Sequence, residues 1–485
     1  MSVSRTEPKA AVRRKAGARI ALTCAFLGAA LAHGQTNQSS ATNPFFGSIT
    51  LKPATDEVLQ LSLDDAVRRG LANNLGLKEA ENSERAIHAE QWQALQEFLP
   101  TITLTGDTGF YQHDLAAFGF NGSVIKSFLP PGENIAFPAV THDTLTEGQI
   151  HLDQILFSGP VIAGWKAAGA ATRAAHFAKM SARGEVVQQV ANAYLRAIAA
   201  ASEVDNAKAL EQADLIELNN ARDRHEAGTV PKIDELRARV QYQTQQQVTI
   251  AAQNDYDKFL IALKREIGID PGQSVTLTDR TPYSEIAQQT PEEVRAVAYK
   301  NRQDYQNLQN QVKELRSVHN AYRAQRLPTL SFSGNYGVQA VTTVGAHGVF
   351  TAVGTLSVPI FREARIRGDI DASQAQLDAT RSQLDDLRAH IDQQVRSALL
   401  DVSAANRLVE VSRSNVDLAT RGLSDVTERV NAGVDSTLPL VTAQASLAQA
   451  HTTLVESLYQ YNIAKLALAR AAGILETQYR QYLGE

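Results

Sequence analysis

No proline interrupts the chain between Pro160 and Pro231, and none between Pro359 and Pro439. Both stretches are rich in alanine, glutamine and other strong helix formers. Each therefore reads as one helix, from about Pro160 to Ala227 and from about Ala364 to Ala432. At ~1.5 Å per residue, each would be roughly 100 Å long. No ordinary globular core needs such a rod. In the second, Ile370, Leu377, Leu384 and Ile391 stand seven apart, and Ala398 and Ala405 continue the row. A strict seven-residue repeat implies a left-handed supercoil, and alanine in the row lets helices approach closely.

Each rod stops at a glycine turn. "EAGTVPK" (Glu226–Lys232) and "NAGVDSTLP" (Asn431–Pro439) place Gly228 and Gly433 where a helix end favours a left-handed residue. A returning helix follows each turn, about Lys232 to Ile267 and about Leu438 to Ala472. The chain thus predicts two long antiparallel helical hairpins.

The hairpins belong to a duplication. Shifted by 228, Leu99-Pro100-Thr101 meets Leu327-Pro328-Thr329, Gly106 meets Gly334, Gly109 meets Gly337 and Asn73 meets Asn301. Shifted by 205, the stretch Arg224 to Gly228 meets Arg429 to Gly433, Tyr256 meets Tyr461, and Gly268-Ile269 meets Gly473-Ile474. The shift drops because the first half carries an insertion, about Asp114 to Asp143, which reads as an outer loop. Each half opens on a helix start: Ser62-Leu63-Asp64-Asp65, and the capping box Thr290-Pro291-Glu292-Glu293. A helix of some 35 residues then runs to Leu-Pro, two extended segments follow, and the rod begins. "GIDPGQSVTLTDRTP" (Gly268–Pro282) links the halves. The expected divisions are 1–32, a signal peptide; 33–60, an N-terminal extension; 61–282 and 283–475, the two repeats; and 476–485, a C-terminal tail.

The extended segments alternate with period two. Ile102, Leu104 and Phe110 oppose Thr103, Thr105, Asp107 and Gly109, while Leu330, Phe332, Tyr336 and Val338 oppose Ser331, Ser333, Asn335 and Gly337. Their partners alternate too: Ile150, Leu152 and Leu156 against His151 and Asp153, and Phe350, Ala352, Leu356 and Val358 against Thr351, Thr355 and Ser357. One greasy face with period two is a half-buried strand. The other face is small and nearly uncharged, which suits a crowded or channel-lining interior; a soluble antiparallel sheet is the alternative. Each segment supplies the ~9–11 residues that a transmembrane strand needs. Four strands cannot close a barrel and an open edge cannot face lipid, so a membrane location requires several copies of the chain in one barrel.

Arg13, Arg14, Lys15 and Arg19 precede a mostly apolar stretch, Ile20 to Leu31, and Ala30-Leu31-Ala32 offers small residues for cleavage. This reads as a secretory signal. The sole cysteine, Cys24, lies inside it with Thr23 before it, a poor fit to lipidation. Beyond the signal no stretch of 18 or more apolar residues occurs. The net charge of −5 carries no basic block that would call for nucleic acid.

The signal, the duplicated half, the strand pairs opened by Leu-Pro-Thr and the rods ending in glycine turns resemble the TolC-like outer-membrane efflux proteins, from about Leu61 to Leu475. The resemblance implies a mainly α fold with a β-barrel part: coiled-coil hairpins forming a periplasmic α-barrel, and four strands per chain contributing to a shared 12-stranded transmembrane β-barrel. It implies a homotrimer in the outer membrane lipid of a Gram-negative-type bacterium. Such a trimer is a passive exit duct for small molecules or proteins in a tripartite efflux or type I secretion system, working with a periplasmic adaptor and an inner-membrane transporter. Channel-facing candidates are Thr103, Thr105, Asp107, Ser331, Ser333 and Asn335. Tip and gate candidates are Arg224, Gly228, Asp234, Glu235, Arg429, Gly433 and Asp435. Of the gate the resemblance implies, Asp234 keeps the acidic position. The aromatic and basic positions fall on Val430 and Asp435, and two pore-ring aspartates fall on Pro439 and Thr442, so that network does not carry over. The alternative function is a periplasmic coiled-coil adaptor or scaffold, which would share the rods.

Enzyme motifs do not appear. The 11 histidines are scattered, with no H-E-x-x-H; "GAHGVF" (Gly345–Phe350) lacks the lysine of a phosphate loop; there is no G-x-S-x-G. Neither a metal nor another cofactor is expected.

Overall fold

The structure, a computed structural model, describes residues 40, 42–49, 53–115, 117, 119, 130, 140–279, 283–287, 289–341, 345–432, 434 and 437–483. The expected signal peptide with Cys24, most of the insertion, and Gly433 and Asp435 lie outside the described residues.

The first half runs β1 (Leu59–Leu61), α1 (Leu63–Asn73), α2 (Leu75–Gln96), β2 (Thr101–Asp114), β3 (Val140–Phe157), α3 (Gly159–Glu226), α4 (Lys232–Ile267) and β4 (Val275–Leu277). The second runs α5 (Pro291–Asn301), α6 (Gln303–Ala324), β5 (Thr329–Val341), β6 (Gly345–Ser357), α7 (Glu363–Asn431), α8 (Thr437–Ala471) and α9 (Leu475–Leu483). The rods α3 and α7 are 68 and 69 residues long. No described helix is long and apolar enough to cross a membrane.

The opening helix expected to run some 35 residues is two helices in each half. In the first, Asn74 turns extended (ψ 132°), its Oδ1 accepts from Leu77 N at 3.2 Å to cap α2, and its Nδ2 donates to Phe45 O at 2.6 Å. In the second, Arg302 breaks the helix with ψ 121°. Its guanidinium is spent on Asp304, Gln394 Oε1 and Ala471 O. The two breaks lie 228 residues apart, so the kink was duplicated with the rest. Neither position holds glycine or proline: at Asn74 a local cap and a tertiary bond act together, and at Arg302, which makes no side-chain cap bond, the contacts to Gln394 and Ala471 are tertiary.

The rods exchange neighbours along their length. Near the sheet, α3 packs between α2 and α6, and α6 packs on α7; toward the turns, α3 packs on α4 and α8, and α7 on α8. In α7 the row is half-buried at Ile370 and buried at Leu377, Leu384, Ile391, Ala398 and Ala405, as the seven-residue period requires. Midway along the rods the main core gathers Leu61, Leu77, Val190, Leu263, Ile267 and Leu466. Here the linker does more than connect. β4 pairs in parallel with β1, Leu59 opposite Val275, and Asp279 Oδ2 accepts from both Leu63 N (2.7 Å) and the Tyr194 hydroxyl (2.8 Å). Two ionisable groups pack into this level: burial pushes the Glu266 carboxyl up to about 8 and the Lys465 amine down to about 8.

The remaining strands form one antiparallel sheet in the order β2-β3-β5-β6. Leu-Pro ends α2 and α6, and Thr101 and Thr329 begin β2 and β5. The strands β2 and β6 are its edges, each with one strand neighbour in this chain.

Candidate channel lining and tip

The register sorts the sheet into two faces. Thr103 stands opposite His151, Thr105 opposite Gln149 and Asp107 opposite Glu147. His151 is in turn opposite Asn335, and Ser333 opposite Asp153. All six strand candidates therefore share one face. A hydrogen-bonded mesh runs across it. The Thr105 hydroxyl lies 2.9 Å from His151 Nε2, Gln149 Nε2 donates to Glu147 at 3.0 Å, and the Gln339 and Asn335 amides reach Glu147 and Gln149. Asp107 and Glu147 face each other directly, a like-charge pairing that costs a sheet stability and that folding alone does not require.

The opposite face is mainly apolar, with Thr108 opposite Thr146 and Gln112 opposite His142 as polar pairs on β2 and β3. Ile102 meets Leu152, Ile150 meets Tyr336, Tyr336 meets Phe350 and Leu330 meets Leu356. It is bare in the single chain: Leu104 is 79% and Phe350 73% exposed. A bulge between Ile155 and Phe157 corrects the simple alternation at the foot of β3, so Phe157, not Leu156, stands opposite Leu330. Sequence reading missed Glu147, Gln149 and Gln339 as members of the polar face. Their signal was parity with His151 along β3 and with Asn335 along β5.

At the other end, the first turn closes on Gly228, whose φ of +73° is the left-handed conformation that glycine adopts freely. Its N–H donates to His225 O, and both Thr229 N and the Thr229 hydroxyl donate to Arg224 O (2.9 and 2.8 Å). Asp234 and Glu235 sit in the first turn of α4, where the helix dipole favours acids. Glu235 lies between Lys232 at 2.5 Å and Arg239 at 2.9 Å, both of its own helix; the hydrogen bond from Lys232 is the main reason its carboxyl stays below the usual range. Asp234 is 3.5 Å from Arg237. On the second rod, Arg429 lies in the last turn of α7 and its carbonyl accepts from Val434 N at 3.0 Å.

Above the tip, two acids in α3 escaped the sequence reading. Asp214 is buried, accepts from Gln241 Nε2 of α4 at 3.2 Å, and is raised by burial. Glu217 is also raised by burial, with Arg224 pulling the other way. The signal for Asp214 was its place in a row with Ala207 and Ala221, seven residues to either side, both buried.

The sequence profile of the outer membrane efflux protein family matches residues 66–268 and 295–474. None of the curated proteins matches the chain. Among solved structures, a membrane protein from Pseudomonas aeruginosa superposes with a TM-score of 0.71 at 20% identity, covering 85% of this chain and 93% of its own. The CmeC outer membrane channel of Campylobacter jejuni gives 0.69 at 15% identity over 89% and 92% of the two chains. The outer membrane protein VceC of Vibrio cholerae gives 0.69 at 16% over 85% and 96%. These structures share the fold, and the profile spans most of both halves. On those grounds, the chain belongs to the outer membrane efflux protein family.

Proposed function

We propose that three copies of this chain pool their sheets into one 12-stranded barrel in the outer membrane and their rods into a tunnel through the periplasm. The assembly is the passive exit duct of an efflux system. A periplasmic adaptor and an inner-membrane transporter meet it at the turn end, and the transporter supplies the energy. One observation carries the reading: a four-stranded sheet with two open edges, a bare apolar face and a hydrogen-bonded polar face. Such a sheet satisfies neither water nor lipid alone, and closure with copies of itself resolves both faces and both edges. In the closed barrel Thr103, Thr105, Asp107, Ser331, Ser333 and Asn335 line the lumen. At the tip, Arg224, Gly228, Asp234 and Glu235, together with Arg429, set the constriction.

Outer-membrane fractionation, heat-modifiable electrophoresis and planar-bilayer recording test this together. The expected outcome is a membrane-bound trimer that collapses to monomer on boiling and conducts as single channels. Asp234→Ala raises the leak through the closed tip without changing the fully open conductance. Recovery in the soluble periplasm, or a monomer that never conducts, refutes the duct; an unchanged leak removes Asp234 from the constriction.

A further inference from the structure

The helices beneath the sheet leave a groove along α3, walled by α6 and, in its lower part, by Gln91 of α2, that the duct does not use. It has two connected parts, of about 330 and about 350 Å3, which share Lys166 and Ser317. The upper part lies at the foot of the apolar sheet face, since Phe157, opposite Leu330 in the register, forms its rim.

Both walls change character in the same direction. Along α3, Gly159, Ile162 and Ala163 give way to Lys166, Gly169 and Arg173; these positions fall on one side of a helix. Along α6 and the turn after it, Leu327 and Ala324 give way to Asn320, Ser317 and Lys313. The floor is small residues. At the top the helices nearly touch, because a Cβ on Gly159 would lie 2.9 Å from the Ala324 Cβ. Trp165, 42% exposed and edge-on to Phe98 at 6.3 Å, stands where the apolar part meets the basic part. No carboxylate lines the groove, and Lys166, Arg173 and Lys313 have no ion pair among the described residues. Glu314, beside Lys313 in sequence, has its carboxyl pushed up by burial and, secondarily, by Glu90.

We infer that this groove holds an anionic phospholipid of the periplasmic leaflet, its phosphate between Lys166, Arg173 and Lys313 and an acyl chain rising past Ile162 toward Phe157. Basic residues just beyond the hydrocarbon, with a tryptophan at the boundary, are the chemistry that recognises such a headgroup. From Ile162 to Arg173 the helix climbs about 16 Å, enough to span the step from acyl chain to headgroup. A neighbouring copy of the chain is not the occupant, because α3 and α6 are flanked within their own chain by α2 and α7. The site rests on the reading that the apolar sheet face meets lipid.

Native mass spectrometry on the delipidated full-length trimer tests it, with phosphatidylglycerol, phosphatidylcholine and inorganic phosphate as probes. Phosphatidylglycerol is expected to bind up to one per protomer and at least tenfold more tightly than phosphatidylcholine. The triple variant K166Q/R173Q/K313Q loses that preference. Ala163→Phe, which fills the acyl end and keeps every charge, loses phosphatidylglycerol as well. Lys300→Gln, an exposed charge on α5, changes nothing. Equal binding of the two lipids, retention by the triple variant, or displacement of phosphatidylglycerol by millimolar phosphate overturns the site while the trimer stays intact. Absence of the trimer overturns the duct and the site with it.

Discussion

The rods α3 and α7 come from one ancestral helix and differ by a single residue in length, yet they live in different surroundings. Between Val186 and Ala200, α3 is buried on nearly every side: Val186, Val187, Val190, Ala191, Tyr194, Leu195 and Ile198 are all inside. α7 buries one stripe and leaves a second apolar row bare, with Leu400 71%, Leu408 57%, Val411 57% and Leu418 61% exposed. The reason is position. α3 lies in the middle of the helical layer, between α2 and α6 above and α4 and α8 below, whereas α7 ends that layer. The strand that feeds α7 is β6, an edge of the sheet. An open strand edge and an open apolar flank therefore sit on the same side of the chain. One rod is enclosed by its own chain; the other keeps a bare apolar flank, which a copy covers in the proposed trimer.

The strongest way to break this contrast is a charge in each rod. Val190 is fully buried, so Val190→Asp places an unpaired carboxylate in the core and costs about 4–5 kcal/mol or more. The expected result is loss of the folded protomer, read as degradation in whole-cell blots and absence from the outer membrane. L408E/L418E on the open flank of α7 should act on assembly alone. Each leucine forfeits about 2–3 kcal/mol of burial at the contact between copies. Circular dichroism should keep the helical signal of the wild type while the heat-modifiable trimer disappears. A trimer of undiminished heat resistance in the double variant would mean that the flank of α7 faces water in the assembly.

Much of this contrast was legible before the structure. The proline-free spans gave both rods to within a residue or two of their ends, and the row from Leu377 to Ala405 gave the buried stripe of α7. The alternation after Leu-Pro gave β2, β5 and the shared face of the six lining candidates, while the partner alternation gave only the later parts of β3 and β6; β3 already begins at Val140, inside the insertion expected to be a loop. What stayed hidden depends on contacts remote in sequence. The break at Arg302 rests on bonds to Gln394 and Ala471, the tie from Asn74 to Phe45 O adds to its local cap, and β4 exists because Leu59 pairs with Val275. The mesh from Glu147 to Gln339 needs the β3–β5 register, which no local pattern supplies. Between Val186 and Ala200 of α3 the burial is spread over all sides, so that stretch leaves no seven-residue row to read.

The subtlest test makes α3 more like its duplicate. In the 205-residue register, Asp214 of α3 meets Ala419 of α7, and its neighbours in the row, Ala207 and Ala221, are already alanine. Asp214→Ala therefore continues a seam that the second rod already has. Burial raises the Asp214 carboxyl above the ordinary 3.8, so keeping it ionised weighs against the folded state. The wild type is relieved of that penalty in acid, where the group is protonated in both states, and feels it increasingly as pH rises above 3.8. The variant carries no such dependence. Gln241 loses its acceptor, but it is only half-buried and water can replace the bond. Thermal unfolding in detergent should show the two proteins closest near pH 4 and the variant ahead by about 1 kcal/mol at pH 7. A variant less stable than wild type at both pH values would show that the Asp214–Gln241 bond outweighs the burial it requires. The two rods would then differ by a hydrogen bond that holds the seam, not by a charge that strains it.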